Sequence, residues 1–371
     1  MKPCARLIFA LVLLMLWVSG GGAYSQDDAV FVAGARHQGT FDSRPVTNTP
    51  SVVWKYEMPY SASGEVVLYQ DRVLAGCHDR RGNKEYGVQF ALDKNTGKVI
   101  WQRSMPEQLS APSVAAGTAY YGSKLNRVVA LKTDTGIPIW ECAGLKGPVC
   151  SPPAVLNHRV FFGNHGKEWC VLDATTGKLI RQLSLSNGIC CYPSMDDGKI
   201  FFVDWDGQLH RYDSLSLEDS VIYQAQKPSE VAPTIAKHNG CFFTEDGVLY
   251  VVNLMTGKLL WTFRADGQVW QSPAIAGNVC VFVTDKGHIY ALDTGTGSLL
   301  WDIRKTGAVN TSASITEQTV YVGGGNHSLY AFQLTTGREL WEFQTADAVS
   351  TPWLENGVAY FSSGKWVYAI K

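Results

Sequence analysis

A unit of about 40 residues repeats through this chain, and that self-similarity limits its possible folds more than any other feature. Residues 272–304 read SPAIAGNVCVFVTDKGHIYALDTGTGSLLWDIR. They recur 40 residues later as SASITEQTVYVGGGNHSLYAFQLTTGRELWEFQ and 40 residues earlier as APTIAKHNGCFFTEDGVLYVVNLMTGKLLWTFR. Thr-Gly pairs fall at Thr96-Gly97, Thr135-Gly136, Thr176-Gly177, Thr256-Gly257, Thr296-Gly297 and Thr336-Gly337. Trp101, Trp140, Trp261, Trp301 and Trp341 each follow four residues after such a glycine, and Arg181 takes that place in the third copy. The fourth copy, YDSLSLEDSVIY, has lost both signals but keeps the spacing.

Within each unit, short β-branched and aromatic runs such as Val281-Phe282-Val283 and Ile289-Tyr290-Ala291-Leu292 are separated by turn residues. No stretch carries a sustained helical period. Four strands per ~40 residues make one propeller blade, and a lone sheet of that size cannot bury both faces. Third strands can be counted at 88–92, 128–131, 169–172, 209–212, 249–252, 289–292, 329–332 and 366–370, which gives eight blades. The last copy stops before its fourth strand, while Ser51-Val52-Val53-Trp54-Lys55-Tyr56 is an orphan strand with Trp54 in register. The expectation is an all-β, eight-bladed β-propeller of four-stranded antiparallel blades over residues 51–371. Its last blade is closed by pairing 51–57 with 366–371, which ties down both termini.

The N-terminus reads as a targeting segment. Lys2 and Arg6 precede an apolar run from Leu7 to Val18, and Ala23-Tyr24-Ser25 fits a small-x-small cleavage site. The run is shorter than the ~20 residues a membrane-spanning helix needs. Residues 1–25 are expected to be a signal peptide and 26–50 an N-terminal extension, with the protein exported to the periplasm or outside the cell. Removal takes two of the 32 basic groups and none of the 33 acidic ones, leaving a net charge near −3. That balance argues against nucleic acid or an anionic membrane as the partner.

The block A-L-D-x-x-T-G-x-x-x-W, present as Ala91 to Trp101 and Ala291 to Trp301, resembles the pyrroloquinoline-quinone-type repeat of quinoprotein dehydrogenases and their non-enzymatic relatives. The resemblance covers about residues 50–371. It implies that each Trp packs between neighbouring blades and that Asp93, Asp173 and Asp293 bond within their own turns. Two branches share the repeat. One is the propeller lipoprotein of the outer-membrane β-barrel assembly machinery, a scaffold of similar length without catalysis. The other is the quinoprotein alcohol dehydrogenases, which hold the quinone and a calcium ion over the central channel under long loop insertions. Here the connections are short, the main exception being Cys77 to Tyr86 in the first blade.

In each blade the innermost strand begins where the loop from the previous blade ends. That loop and the turn between strands two and three open on one face. The channel mouth is therefore expected near Ser110, Cys150, Cys190-Cys191, Val231, Trp270-Gln271, Asn310-Thr311 and Ser350. Cys150, Cys190, Cys191, Trp270, Gln271 and Asn310 are the candidate ligand- or partner-binding residues. Cys150 and Cys190 lie 40 residues apart, hence at equivalent positions on adjacent blades. An even eight cysteines after residue 25 suggest disulfides in an exported chain, with Cys150, Cys190 and Cys191 the candidates. Quinoprotein alcohol dehydrogenases carry adjacent cysteines beside the quinone; Cys190-Cys191 sits nearer its strand than their pair does.

His165, His288 and His327 fall at or near one turn in three blades, and His78 is a possible fourth; turn histidines in solvent are the expectation. The chain shows no C-x-x-C spacing, so no metal site is assigned. Its carboxylates are scattered loop residues such as Glu230, Asp266 and Asp347, so no catalytic residue is assigned either. The sequence thus predicts a monomeric, non-catalytic binding or scaffolding propeller that uses no cofactor and faces a protein or envelope partner. The alternative is a quinone- and calcium-dependent oxidoreductase. A carbohydrate-binding propeller would rest on Trp205 and Trp353 alone.

Overall fold

The structure, a computed structural model, describes residues 38–46, 49–81, 84–305 and 311–371. The expected signal peptide and Asn310 lie outside them. The described residues form eight blades of antiparallel strands, each ordered from an innermost first strand to an outermost fourth. None of them is helical, and so none forms a helix long and apolar enough to cross a membrane. The fold expected from the repeat is the fold observed.

Blade six shows why the sequence takes this form. Its strands are Ala274–Ala276, Val279–Val283, His288–Asp293 and Leu299–Arg304. Successive side chains of a strand point to opposite faces. Cys280, Phe282 and Leu292 pack toward blade five, whereas Val281, Ile289 and Ala291 pack toward blade seven. Both faces are covered, so these strands are apolar throughout instead of alternating with polar residues. The same interleaving joins every neighbouring pair of blades around the ring.

The turn after each third strand is built by its first residue. Asp93 accepts hydrogen bonds from the Asn95 and Thr96 amides and from Thr96 Oγ1. Asp173 and Asp293 do the same in their blades. The glycine that follows sits at positive φ, +66° for Gly136. The tryptophan of the preceding blade lies against it: a Cβ on Gly136 would stand 2.5 Å from the Trp101 ring. Trp101 Nε1 then donates to the Thr133 carbonyl at 2.8 Å. Trp54, Trp140, Trp261 and Trp301 make the equivalent bonds to Lys94, Ala174, Thr294 and Leu334.

Ring closure follows the expected register. Val52–Glu57 pairs antiparallel with Trp366–Ile370, from Val52 opposite Ile370 to Glu57 opposite Trp366. Ser51 and Lys371 exchange two further backbone bonds of 3.0 and 2.9 Å. The insertion at Cys77–Tyr86 is a lengthened hairpin, Arg72–Arg81 against Lys84–Asp93.

The extension contributes a feature the repeat does not announce. Thr40–Phe41 adds in parallel to the innermost strand of blade seven, with Thr40 opposite Ile315. Gln38 Nε2 donates to the Ile235 carbonyl of blade five, and the Ile275 amide of blade six donates to the Gln38 carbonyl. Val46 donates its amide to Tyr321 Oη, and Gly357 donates to Ser43 Oγ. Residues 38–46 therefore run along the inner strands of blades five to eight and occupy the end of the channel away from the mouth. Gly39 is required there, because a Cβ would lie 2.8 Å from both Ala274 Cβ and the Ala313 carbonyl.

Three outcomes follow from this architecture. Trp54→Ala should cost about 3–5 kcal/mol in denaturant unfolding, since it opens a buried gap where the ring closes. An unchanged midpoint would mean that the N-terminal strand does not hold the last blade. Gly136→Ala should cost at least ~2 kcal/mol, combining an L residue at positive φ with overlap of the Trp101 ring. The overlap part of that cost should disappear in a Trp101→Leu background, which a double-mutant cycle reads directly.

The third outcome concerns pH. His210 is buried, stacked on Phe202, with Nδ1 2.8 Å from Asp219 and Nε2 3.6 Å from Asp204. Burial alone would lower its pKa, but the two carboxylates outweigh burial and hold it at about 9. A pKa raised on folding stabilises the fold fully below the ordinary value of 6.5, and that contribution is lost as pH rises through about 9. Melting temperature should therefore fall between these limits more steeply in the native chain than in His210→Phe.

Candidate functional site

The loops that enter the innermost strands and the turns between second and third strands meet on one face, as the connectivity requires. On it, between blades seven, eight and one, lies an open cleft of about 590 Å³, lined by Glu65, Thr311, Asp347, Ser350 and Ser362 among others. Glu65 Oε1 lies 3.4 Å from Thr351 Oγ1, and burial raises its carboxyl pKa above the usual range. Ser110 and Ser350 are structural: their hydroxyls accept the Gly122 and Ser362 amides of their own blades. Val231 is buried within its blade core.

Position 150 recurs at 190, 230 and 270, four residues before each innermost strand begins. Cys150, Cys190, Glu230 and Trp270 consequently follow one another around a single arc of the mouth. Trp270 is 44% exposed and borders a hollow of about 160 Å³ shared with Trp205, Glu230, Val231 and Gln268. Gln271 is half-buried on the next position. Trp205 packs edge-on against His165, with ring centres 4.8 Å apart, and Trp353 packs against Phe41 of the N-terminal segment. Both of these tryptophans are partly covered, which removes the exposed aromatics a carbohydrate site was built on.

The eight described cysteines are free thiols in this structure; of the three disulfide candidates, Cys150 and Cys190 are the two brought together. Cys191 is turned into the blade core, where its thiol donates to the Val203 carbonyl at 3.1 Å and burial pushes its pKa up to about 12. Cys190 instead meets Cys150 across the blade boundary. A hydrogen bond from Cys190 lowers the Cys150 pKa, helped by the Lys124 charge, and the same bond together with burial raises that of Cys190.

His165 joins these two thiols. One ligating atom each from Cys150, His165 and Cys190 lies within 4.8 Å of the other two. The sequence placed His165 in a turn on this face but did not bring it to the cysteines. The usable signal was positional: the turn at 164–167 and the loops ending at 150 and 190 belong to adjacent corners of one face. The other turn histidines do not gather. His288 Nδ1 lies 3.0 Å from Asp302, and no second His/Cys/Asp/Glu group of this kind occurs among the described residues.

A model of the family described as outer membrane protein assembly factor BamB matches the chain in four overlapping stretches, residues 39–153, 84–180, 144–237 and 224–370. The outer membrane protein assembly factor BamB of Legionella pneumophila (strain Paris) is 27% identical over 214 residues, 54% of this chain and 51% of that protein. Its namesake from Salmonella typhimurium (strain LT2) is 25% identical over 125 residues, 33% of this chain and 32% of the relative. The matched segments thus span between a third and a half of these relatives. Among solved structures, BamB from Moraxella catarrhalis superposes with a TM-score of 0.71 at 15% identity, covering 87% of this chain and 98% of that one. A europium-containing methanol dehydrogenase superposes with a TM-score of 0.75 at 10% identity, covering 93% and 98%. At such identities the likeness is one of fold alone. The family matches, which together run from residue 39 to 370, decide the classification: the chain belongs to the outer membrane protein assembly factor BamB family of repeat propellers.

Proposed function

We propose that this chain is an exported, non-catalytic scaffold that presents its mouth face to a protein partner in the cell envelope. The observation that carries the reading is the Trp270 corner of the mouth. There a large aromatic stands 44% exposed beside a hollow with an apolar wall and an acidic rim. Exposed aromatics flanked by polar groups are what binding hot spots are made of. Family membership supports the same direction, since the relatives are described as outer membrane protein assembly factors. The apolar N-terminal run and cleavage pattern support export through a signal peptide at residues 1–25.

The alternative places pyrroloquinoline quinone and calcium at the mouth. The residues do not fit that group well. Cys191 is committed to the core, so the adjacent cysteines do not present a joint surface. Glu65 and Asp347 line one cleft of the mouth while Glu230 borders a separate hollow, so the three carboxylates do not share a single site. No step is assigned through that cofactor.

The test places a photo-crosslinking residue at position 270 and, separately, at Met255, an exposed residue in a turn on the opposite face. Envelope proteins should be captured from position 270 and not from position 255, and Trp270→Asp should weaken recovery of the same partner at least ~10-fold, the scale of a hot-spot loss. Capture from neither position, or stoichiometric quinone binding with calcium-dependent dye reduction, would reverse the assignment.

A further inference from the structure

We infer that Cys150, Cys190 and His165 form a zinc site at the mouth, with two thiolates and one imidazole as protein ligands and the remaining coordination position toward the channel. The inference does not depend on the scaffold role. It rests first on the placement of the three side chains. Their ligating atoms lie within 4.8 Å of one another across the boundary of blades three and four. Zn–S bonds of ~2.3 Å and Zn–N bonds of ~2.0–2.1 Å put ligand atoms in a tetrahedral site somewhat under 4 Å apart. Small side-chain rotations cover the difference.

A second observation is independent of the cysteines. His165 Nε2 is buried and has no hydrogen-bond partner. A buried ring nitrogen without a partner forfeits its solvation, which is costly unless something occupies its lone pair or takes its proton. In the neutral ring the nitrogen without the proton, Nδ1 or Nε2, is what a metal uses, and Nε2 is the one without a partner here.

The third observation is that the backbone holds the three residues in relation to one another. The His165 amide donates to the Pro148 carbonyl at 3.1 Å, joining the histidine turn to the loop that carries Cys150. The Ile189 amide donates to the Asn164 carbonyl at 3.1 Å, joining the same turn to the loop that carries Cys190. Gly147 and Gly166 permit this contact, since a Cβ on Gly147 would stand 2.2 Å from the Gly166 amide nitrogen. Trp205 closes one side, its ring against His165 and its amide bonded to the Gly188 carbonyl at 3.0 Å. Few rotamers remain to be ordered on binding, so little entropy opposes it.

The donor set selects the ion. Two thiolates balance the charge of a divalent cation, and sulfur with imidazole nitrogen disfavours calcium and magnesium, which take oxygen. A set of two cysteines and one histidine with a fourth position left for solvent or a ligand is an arrangement zinc adopts. Glu230 occupies the equivalent position on blade five and adds a negative charge to the same arc.

The experiment uses the full chain, reduced and stripped of metal. Competition against a chromogenic chelator should show one equivalent of Zn²⁺ taken up, with a rise in melting temperature. Co²⁺ in its place should give a thiolate-to-metal charge-transfer band. Cys150→Ser, Cys190→Ser and His165→Ala should each weaken Zn²⁺ binding by at least ~100-fold, because losing a direct ligand costs more than losing an outer partner. Cys142→Ser should leave binding unchanged. Metal-free melting of each variant guards against misfolding, and where serine destabilises the fold, alanine at the same position is read instead. Refusal of Zn²⁺ while Cys150 and Cys190 alkylate as free thiols would overturn the site. So would uptake that survives His165→Ala, or binding of Cu⁺ with Zn²⁺ refused.

Discussion

The contact on which the ring depends is the indole of one blade laid on the glycine turn of the next. It joins dispersion over the ring face to a hydrogen bond from Nε1, and it sets both the spacing and the tilt of neighbouring blades. The chain also shows what happens where one partner is lost. Arg181 replaces the tryptophan of blade three, and in the facing turn of blade four Leu217 stands at φ +61° where the other turns carry glycine. With no ring pressing on the turn, a Cβ is tolerated there, and only the backbone cost of positive φ remains. Trp341 shows the opposite loss. Its Nε1 is buried without a hydrogen-bond partner.

Regular spacing has a chemical consequence. Once blades are equivalent, residues 40 apart in sequence become neighbours on one rim, whatever their side chains. A cysteine at position 150 and another at 190 are thereby brought together without any local motif joining them. The histidine arrives from a different corner of the same blade, held by backbone bonds instead of repeat symmetry. Residues 38–46 run along the inner strands of blades five to eight, away from the mouth on which the inter-blade loops converge.

How much could be read beforehand follows from these same physical causes. The blade count, the third strands, the Asx turns and the closing strand all leave periodic marks, because each copy must solve the same packing problem. The placement of Thr40–Phe41 leaves no such mark. A two-residue parallel strand in a channel is specified by contacts with four blades, and nothing in its own pattern distinguishes it from a loop. Of the three disulfide candidates, the repeat spacing brings Cys150 and Cys190 together, while Cys191 is turned into the core. His165 was recognised as a turn residue but not as a partner of the thiols, since a separation of 15 residues from Cys150 and 25 from Cys190 matches no compact ligand motif.

Fold alone therefore decides little about chemistry here. The same eight blades superpose on an assembly factor and on a methanol dehydrogenase with nearly equal scores. What differs between such proteins must lie in the rim residues and in what covers them, because the Trp–Gly contacts and the interleaved cores concern only the ring. In this chain the rim carries an exposed tryptophan, an acidic neighbour and a paired thiol–imidazole cluster along one arc from blade three to blade six. A partner bound at Trp270 would lie beside that cluster, so the two features can act on one bound surface without any change in the propeller beneath them.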